Sequence, residues 1–376
     1  EFDTASIKNL SINGQVVIKE QIYPAFEKLA KFFTHEYLPN ANQDIGASSM
    51  PNGLDYYQFQ VKNYTTTDLT IQEIHDIGLL EVGRIHKEME KIISDLDFEG
   101  SFSEFLTFLR TDPQFYHKDA ESLLDGYRSL CKKVDGKLPE LFMNLPRTPY
   151  GVKAIPEYQS PSAPTAYYHG PSADGKRAGF FWANTYQLDT RPKYEMAVLA
   201  LHEAVPGHHL QIALANELEN VPEFRKHSGY TAYVEGWALY AESLGEDMKM
   251  YEDPYDKFGQ LTYEMWRACR LVIDTGIHAF GWTRLQAINY LLLNSAKTQH
   301  DAEVEIDRYI VWPGQALAYK IGELKIKELK EIAEEKLGDR FDIREFHHVI
   351  LKDGAMPLNI LDNKINLFIQ KNLIIP

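Results

Sequence analysis

The segment from residue 202 to residue 209 reads His-Glu-Ala-Val-Pro-Gly-His-His, and it restricts how this part of the chain can fold. A His followed at once by Glu, with a further His a turn or two later, is typical of zinc peptidases. In these, two imidazoles hold the metal and the Glu handles the proton of the attacking water. On a regular helix, however, His208 would lie about 120° around the axis from His202, and His209 about 10 Å further along it. Neither can share an ion with His202 unless the helix is distorted.

Pro206 and Gly207 provide a reason for such a distortion. Pro206 comes four residues after His202, so its ring would clash with the His202 carbonyl, and it has no N–H to pair with that carbonyl. Gly207 tolerates unusual backbone dihedrals. We therefore predict a bulge over residues 205–207 that carries His208 back to the metal side. The alternative is that both His are ordinary polar residues near a helix end.

A third metal ligand is expected in the apolar helical segment 233–242. Glu235 and Glu242 lie seven residues apart there and so share one helix face. Acidic groups in such a segment are costly to bury unless they are paired or bind a cation. We expect Glu235 to complete a set of two His and one Glu, and Glu242 to orient a His or the ligand carboxylate. The alternative for either Glu is a buried ion pair with Arg267 or Arg270.

Five strings of residues resemble a bacterial family known as domain of unknown function 885, whose members resemble gluzincin metallopeptidases. They cover much of the chain and comprise residues 64–70, 201–211, 235–242, 270–278 and 313–319. The resemblance implies a mostly helical zinc-peptidase fold, Zn²⁺ as cofactor, and His202 and His208 as a ligand pair. It implies no substrate. Family members are usually longer, so a chain that opens at Glu1 is expected to be a fragment.

The composition fits a globular enzyme and argues against nucleic-acid binding. Apolar residues make up 44% of the 376 residues, and the net charge is −15. Binding of phosphates needs a basic surface, which this sequence lacks. Cys131 and Cys269 are too few for a disulfide framework, and no apolar run has the length of a membrane span. We expect a peptide as partner. The oligomeric state and the compartment, exported or cytoplasmic, stay open.

Hydrophobic periodicity predicts a mostly α-helical chain with a small β-sheet beside the metal-binding helix. Pro192 is expected to open the helix that leads to His202, and Thr70 to open another with a capping box. The chain is expected to form an N-terminal helical region, 1–138, and a catalytic region, 139–376, packed as one unit. The expected helices are 15–37, 70–95, 101–110, 117–134 and nearly all of 222–375, and the expected strands are 151–155 and 179–184.

The strand just ahead of the metal motif is a candidate for substrate binding. In zinc peptidases of this type a sheet edge upstream of the metal helix pairs with the substrate backbone. The alternative is an ordinary buried strand, which its three aromatic residues also fit. The residues concerned are Gly179, Phe180, Phe181, Trp182, Ala183 and Asn184.

Amide hydrolysis passes through an oxyanion, so a hydrogen-bond donor is expected near the metal. The candidates are Tyr319, Tyr309 and His278, with Tyr309 also assigned to substrate binding. Tyr319 is preferred because a helix start is expected just ahead of it and because the family resemblance includes it. The alternative for each is a residue that is hydrogen-bonded within a helix interface.

Arg267 and Arg270 lie three residues apart and are neighbours on a helix surface. We expect them to contact substrate, and a grip on a peptide C-terminal carboxylate would make the protein a carboxypeptidase. The alternative is that they neutralise Glu235, Glu242 or Asp274. Asp274 and His209 are also expected to orient the metal ligands.

Together these residues predict a zinc-dependent peptidase in which Glu203 takes a proton from the attacking water and delivers it to the leaving amine. Two other classes stay open. One is a zinc amidohydrolase acting on small N-acyl amino acids, which a deep closed pocket would favour. The other is a protein that binds peptide or metal without turnover.

Overall fold

Helical periodicity dominates the chain, and the structure is accordingly mostly α-helical. The structure is a computed structural model that describes residues 2–172, 174–219, 221–222, 225–226 and 229–374. The α-helices described are α1 (Thr4–Val17), α2 (Tyr23–Phe32), α3 (Gly53–Thr65), α4 (Ile71–Asp95), α5 (Phe102–Thr111), α6 (Ala120–Asp135), α7 (Leu138–Leu141), α8 (Met196–Glu203), α9 (His208–Asn216), α10 (Thr231–Ser243), α11 (Pro254–His278), α12 (Arg284–Asn294), α13 (Gln299–Val311), α14 (Ala318–Leu337), α15 (Ile343–Leu351) and α16 (Leu358–Ile374).

Most predicted helices are confirmed within a few residues at each end. Thr70 caps α4 as expected, since its hydroxyl accepts from the Glu73 N–H while the Glu73 carboxylate accepts from the Thr70 N–H. Residues 193–195 form a 3₁₀ turn after Pro192 and lead into α8. Part of the helical segment expected from residue 222 onward, at 223–224, 227–228 and 375, lies outside the described residues.

The chain divides into two compact units, Glu1–Ile45 and Gly46–Pro376. In the first unit, π-helical turns at Ile18–Ile22 and Phe33–Tyr37 follow α1 and α2. No side chain in its described helical segments is buried. The boundary predicted at 138/139 falls inside the second unit, which contains every candidate site residue.

A three-stranded sheet lies in the second unit. Its strands are β1 (Tyr150–Ala154), β2 (Ala166–His169) and β3 (Gly179–Ala183). The spatial order is β1-β3-β2, with β3 parallel to β1 and antiparallel to β2. The two predicted strands are confirmed, whereas β2 was not predicted because proline-rich sequence surrounds it.

The helix α11 forms the centre of the second unit, and every residue from Phe258 to His278 is buried. A buried ammonium group ties it to two neighbouring helices. Lys320 on α14 lies within 2.9 Å of Glu81 on α4, 2.8 Å of Glu264 on α11 and 2.7 Å of Glu323. Removing one member of such a buried network leaves an uncompensated charge, so these contacts fix how the three helices sit around the site.

The helices α10 and α14 cross at a pair of glycines. A Cβ on Gly236 would lie 2.5 Å from the Gly322 Cα, and a Cβ on Gly322 would lie 1.9 Å from the Ala232 carbonyl oxygen. Only glycine permits so close an approach of two backbones. The crossing brings Glu235 on α10 and Tyr319 on α14 to the same region of the unit.

We predict that Gly322→Ala lowers the free energy of unfolding by about 1–3 kcal/mol, because the added methyl forces the two helices apart. The matched control is Gly83→Ala in α4, where nothing lies within 4 Å of the new Cβ. Alanine there should stabilise by up to about 1 kcal/mol through helix propensity. Urea unfolding followed by circular dichroism measures both changes, and equal stability of the two variants would contradict the close crossing.

Candidate metal centre

The helix that carries the motif is interrupted between Glu203 and His208. The helix α8 ends at Glu203 and α9 begins at His208. Across the gap, the Gly207 N–H donates to the Leu201 carbonyl at 2.9 Å and the His209 N–H to the Ala204 carbonyl at 2.9 Å. The predicted distortion is confirmed, although it separates two helices instead of forming a bulge within one.

Gly207 and Trp237 hold this turn in place. A Cβ on Gly207 would lie 1.9 Å from the His202 carbonyl oxygen and 2.5 Å from the Leu201 carbonyl oxygen, so the path of the turn requires glycine. The Trp237 indole N–H on α10 donates to the Pro206 carbonyl at 2.9 Å. The turn is therefore anchored to the helix that carries Glu235.

The three predicted ligands lie together. His202, His208 and Glu235 each offer a ligand atom, and these atoms lie within 4.8 Å of one another. The Glu235 Oε2 atom lies 3.3 Å from His208 Nε2 and 3.7 Å from His202 Nε2. Donor atoms around a tetrahedral zinc ion, with bonds of about 2.0–2.1 Å, are about 3.3 Å apart. The two distances from Glu235 Oε2 are therefore close to those expected around a Zn²⁺ ion.

Hydrogen bonding also fits a cation at this point. His202 Nδ1 lies 2.7 Å from Glu242 Oε1, and a proton on Nδ1 leaves the lone pair of Nε2 free to act as a ligand. Glu235 Oε2 is buried and has no hydrogen-bond partner among the described residues apart from the approach of the two imidazoles, which is costly for a carboxylate unless a cation pairs with it. Glu242 has the predicted orienting position, and it also lies 3.4 Å from the Arg267 guanidinium.

Glu203 is buried beside the two His. Burial raises the pKa of its carboxyl group above the ordinary value, while the nearby His202 and His208 oppose that change. Glu203 lines the same pocket as the three candidate ligands. A carboxylate in this position has access both to a cation held by the His and to a molecule in the pocket.

The pocket has a volume of about 340 Å³. Of the residues predicted to contact substrate or oxyanion, Tyr319, Arg267 and Arg270 line it. Sequence reasoning missed Arg308, Glu305 and the segment 164–168, which also line it. Glu305 and Arg308 lie three residues apart on one face of α13, and this spacing could have indicated a charged pair. Nothing in the sequence, however, indicates that this face of α13 packs near His202 and His208.

The predicted role of strand β3 as a free substrate-binding edge is wrong. Both edges of β3 are already paired, with β1 on one side and β2 on the other. The Asn184 amide instead donates to three carbonyls of the loop 160–164, and none of the six predicted residues lines the pocket. The strand β2 lies at the sheet edge, and its residues 166–168 line the pocket.

His278 and Tyr309 are corrected from candidate donors to structural residues. His278 is fully buried, with Nε2 2.9 Å from the Tyr309 carbonyl and Nδ1 accepting from the Ala47 N–H at 3.1 Å, so both ring nitrogens are already engaged. The Tyr309 hydroxyl accepts from Arg270 Nε at 2.7 Å and from Trp266 Nε1 at 3.0 Å. It positions Arg270 and does not itself line the pocket.

Asp274 and His209 also differ from their predicted roles as residues that orient the ligands. Asp274 accepts from the Tyr57 hydroxyl and from the Gly314 N–H at 3.0 Å, which fixes the start of the segment leading to α14. His209 lies 2.8 Å from the Tyr168 hydroxyl through Nδ1, and burial lowers its pKa to about 4. His209 therefore supports strand β2 and does not orient a metal ligand.

Comparison with known proteins defines the family. Residues 2–365 match the family model described as "Bacterial protein of unknown function (DUF885)". The chain therefore belongs to this family, as its motifs indicated. Among curated proteins, none matches this chain.

Two solved structures share the fold. The crystal structure of a "putative lipoprotein" from Colwellia psychrerythraea has 36% sequence identity and a TM-score of 0.95, over 98% of this chain and 64% of that chain. A "putative lipoprotein of unknown function" from Shewanella oneidensis has 19% identity and a TM-score of 0.72, over 96% of this chain and 67% of that chain. The present chain thus spans less than two thirds of the Colwellia protein. Among the described helices, none combines the length and the apolar character that a membrane crossing requires.

We predict that Gly207→Ala weakens binding of Zn²⁺ by the metal-free protein at least about tenfold. The new Cβ must displace the His202 carbonyl, and His208 moves with the turn. Isothermal titration with Zn²⁺ measures the change, with Gly83→Ala as the matched control. Unchanged affinity in a folded Gly207→Ala protein would show that the turn does not set the ligand geometry.

Proposed function

We propose that this protein is a zinc-dependent peptidase. The observation that carries the proposal is the convergence of His202, His208 and Glu235, with Glu242 behind His202 and Glu203 beside the pocket. Two His and one Glu, with room for a further ligand, form the usual donor set of catalytic zinc in peptidases. A zinc ion held there would polarise a scissile carbonyl and make a water molecule more acidic.

Glu203 is the residue proposed to move the proton. It is buried next to His202 and faces the pocket, where it would take a proton from the attacking water and pass it to the leaving amine. Exclusion of solvent around it strengthens its electrostatic interactions with the reacting groups.

Tyr319 is proposed to stabilise the oxyanion. Its hydroxyl accepts a hydrogen bond from Arg308 Nη2 at 3.1 Å, which leaves its own proton free to donate into the pocket. A donor placed before the reaction begins stabilises developing charge without further rearrangement. The guanidinium group of Arg270, whose Cζ lies 4.2 Å from the Tyr319 ring centroid, would also stabilise the negative charge of the oxyanion.

The strand β2 is proposed to bind the substrate backbone. The Asn184 N–H donates to the Thr165 carbonyl, and β2 continues in the same register against β3. Because hydrogen-bonding directions alternate along an antiparallel strand, the backbone groups of Ala166 and Tyr168 point to the outer edge. An extended peptide can add to such an edge whatever its side chains are.

A zinc amidohydrolase for small N-acyl amino acids is the second candidate. The pocket volume of about 340 Å³ lies near the lower end of the range for small-molecule sites, which favours small substrates. Digestion of a peptide library, compared with a panel of N-acyl amino acids, separates the two candidates.

We predict that Glu203→Gln retains about one zinc ion per chain but lowers kcat at least about 100-fold, because the amide cannot accept the proton. His208→Ala should lose the zinc instead. Elemental analysis and mass spectrometry of a digested peptide library measure the two properties.

The matched control is Glu252→Gln, the same chemical change at an exposed residue outside the pocket. It should leave zinc content and turnover unchanged. Retained turnover in Glu203→Gln would refute the proton-transfer role. Absence of zinc from the wild-type protein after loading would refute the proposal as a whole.

Of the two compartments that the sequence left open, we propose export from the cytoplasm. The description of the Colwellia relative as a putative lipoprotein favours it. Fractionation of bacteria that express the native gene tests this, and recovery of the protein only in the cytoplasm would contradict it.

A further inference from the structure

A cluster of arginines lines the same pocket as the candidate metal ligands. It consists of Arg267 and Arg270 on α11 and Arg308 on α13. Two carboxylates neutralise them: Glu242 lies 3.4 Å from Arg267, and Glu305 lies 3.0 Å from Arg270 and 3.7 Å from Arg308. Within the described residues, these three guanidinium groups therefore share two carboxylates, and one positive charge is left over.

Arg270 has a donor without a partner. Its Nε donates to the Tyr309 hydroxyl at 2.7 Å and its Nη2 to Glu305 at 3.0 Å. Its Nη1 atom is buried and has no hydrogen-bond partner among the described residues. Because the side chain is only 2% exposed, bulk solvent does not supply one. A buried charged donor left unpaired is costly, and an anion bound in the pocket would pair it.

Arg308 also lines the pocket and contacts Tyr319. Its Nη2 donates to Gln315 at 2.7 Å and to Tyr319 at 3.1 Å. Its Nη1 lies 3.7 Å from Glu305, which is too long for a hydrogen bond. The Tyr319 ring centroid lies 4.2 Å from the Arg270 Cζ and 6.0 Å from the Arg308 Cζ, so both guanidinium groups lie near the same ring.

Both guanidinium groups are held before any ligand binds. The Tyr309 hydroxyl that fixes Arg270 also accepts from Trp266 Nε1 at 3.0 Å, and the Trp266 ring centroid lies 4.6 Å from the Arg270 Cζ. Gln315 and Tyr319 fix Arg308 in the same way. Such an arrangement loses little conformational entropy when an anion binds.

The charge balance matches a carboxylate. Arg270 Nη1 and Arg308 Nη1, the nitrogens not engaged by these hydrogen bonds, can each donate one charge-assisted hydrogen bond to a carboxylate, and a single negative charge equals the excess of the cluster. A doubly charged anion is disfavoured because Glu203 and Glu235 line the same pocket. Arg267, which was expected to share this role, is engaged by Glu242 and by the Tyr263 carbonyl at 3.3 Å, and its buried Nε has no partner among the described residues.

We propose that Arg270 and Arg308 bind a carboxylate of the substrate next to the scissile bond, so that the substrates are peptides with a free C-terminus or an acidic side chain at that position. This inference rests on the proposed peptidase function for the scissile bond, but carboxylate binding itself does not require the metal. A free C-terminus would make the enzyme a carboxypeptidase.

The test uses three N-acetylated peptides with the metal-free protein. They are Ala-Ala-Ala as the free acid, the same peptide as the C-terminal amide, and Ala-Ala-Glu as the amide. We expect one of the two peptides with a carboxylate to bind at least about tenfold more tightly than the neutral amide in NMR titrations. Preference for the free acid identifies the C-terminus, and preference for the Glu amide identifies the side chain.

Arg308→Gln should abolish that preference and leave zinc affinity unchanged. Its side chain is 30% exposed, so the variant is expected to fold. Arg270→Lys keeps the charge but replaces the fixed guanidinium fork and its free Nη1 donor, and it should weaken the preference. The matched control is Arg340→Gln at an exposed site outside the pocket, which should change neither property.

Equal binding of the three peptides, or a preference that survives in Arg308→Gln, would overturn the inference. The two proposals fail separately. A protein that binds zinc and cleaves amidated peptides as well as free acids is a peptidase without this subsite. A protein that binds no zinc but prefers carboxylates through Arg308 retains the subsite without the proposed chemistry.

Discussion

The turn between α8 and α9 is the constraint on which the candidate site depends. A continuous helix would direct His202 and His208 to different faces, whereas the interruption at 204–207 brings their rings to a centroid distance of 4.8 Å. Gly207 allows the backbone to pass over the His202 carbonyl, and the bond from Trp237 to Pro206 ties the turn to α10. The geometry of the turn and its anchoring thus come from residues of the two motifs, 202–209 and 233–242, that also carry the candidate ligands.

The buried charges around the site follow one principle, that each is paired by a group from another helix. Glu242 on α10 contacts His202 on α8 and Arg267 on α11, and Lys320 on α14 joins three carboxylates from α4, α11 and α14. Such pairs are costly to break because the remaining charge stays buried. Several atoms of buried charged side chains still have no hydrogen-bond partner among the described residues, and near the site these include Glu235 Oε2, Arg270 Nη1, Arg267 Nε and Glu242 Oε2. We assign Glu235 Oε2 and Arg270 Nη1, whose side chains line the pocket, to bound ligands.

The convergence of the candidate metal ligands could be predicted from the sequence because their positions depend on local spacing. His202, His208, Glu235 and Glu242 lie in two short motifs, and helical periodicity determines which of them share a face. The helices themselves were predictable for the same reason, as the capping box at Thr70 illustrates.

The rest of the pocket depends on long-range packing that no local pattern encodes. The order β1-β3-β2 places β3 between two strands, and sequence alone does not distinguish a central strand from an edge strand. His278 and Tyr309 have the chemistry of catalytic groups, but packing against Ala47 and Arg270 engages their polar atoms. Arg308 was missed because only the packing of α13 brings it to the pocket.

X-ray absorption at the zinc edge, on protein loaded with one equivalent of Zn²⁺, tests the central claim most directly. We expect only nitrogen and oxygen neighbours at about 2.0–2.1 Å, including two imidazoles, and no imidazole scattering in His208→Ala, because that variant releases the ion. A sulfur neighbour at about 2.3 Å, or a spectrum that does not change in the His208 variant, would show that the ion is held elsewhere.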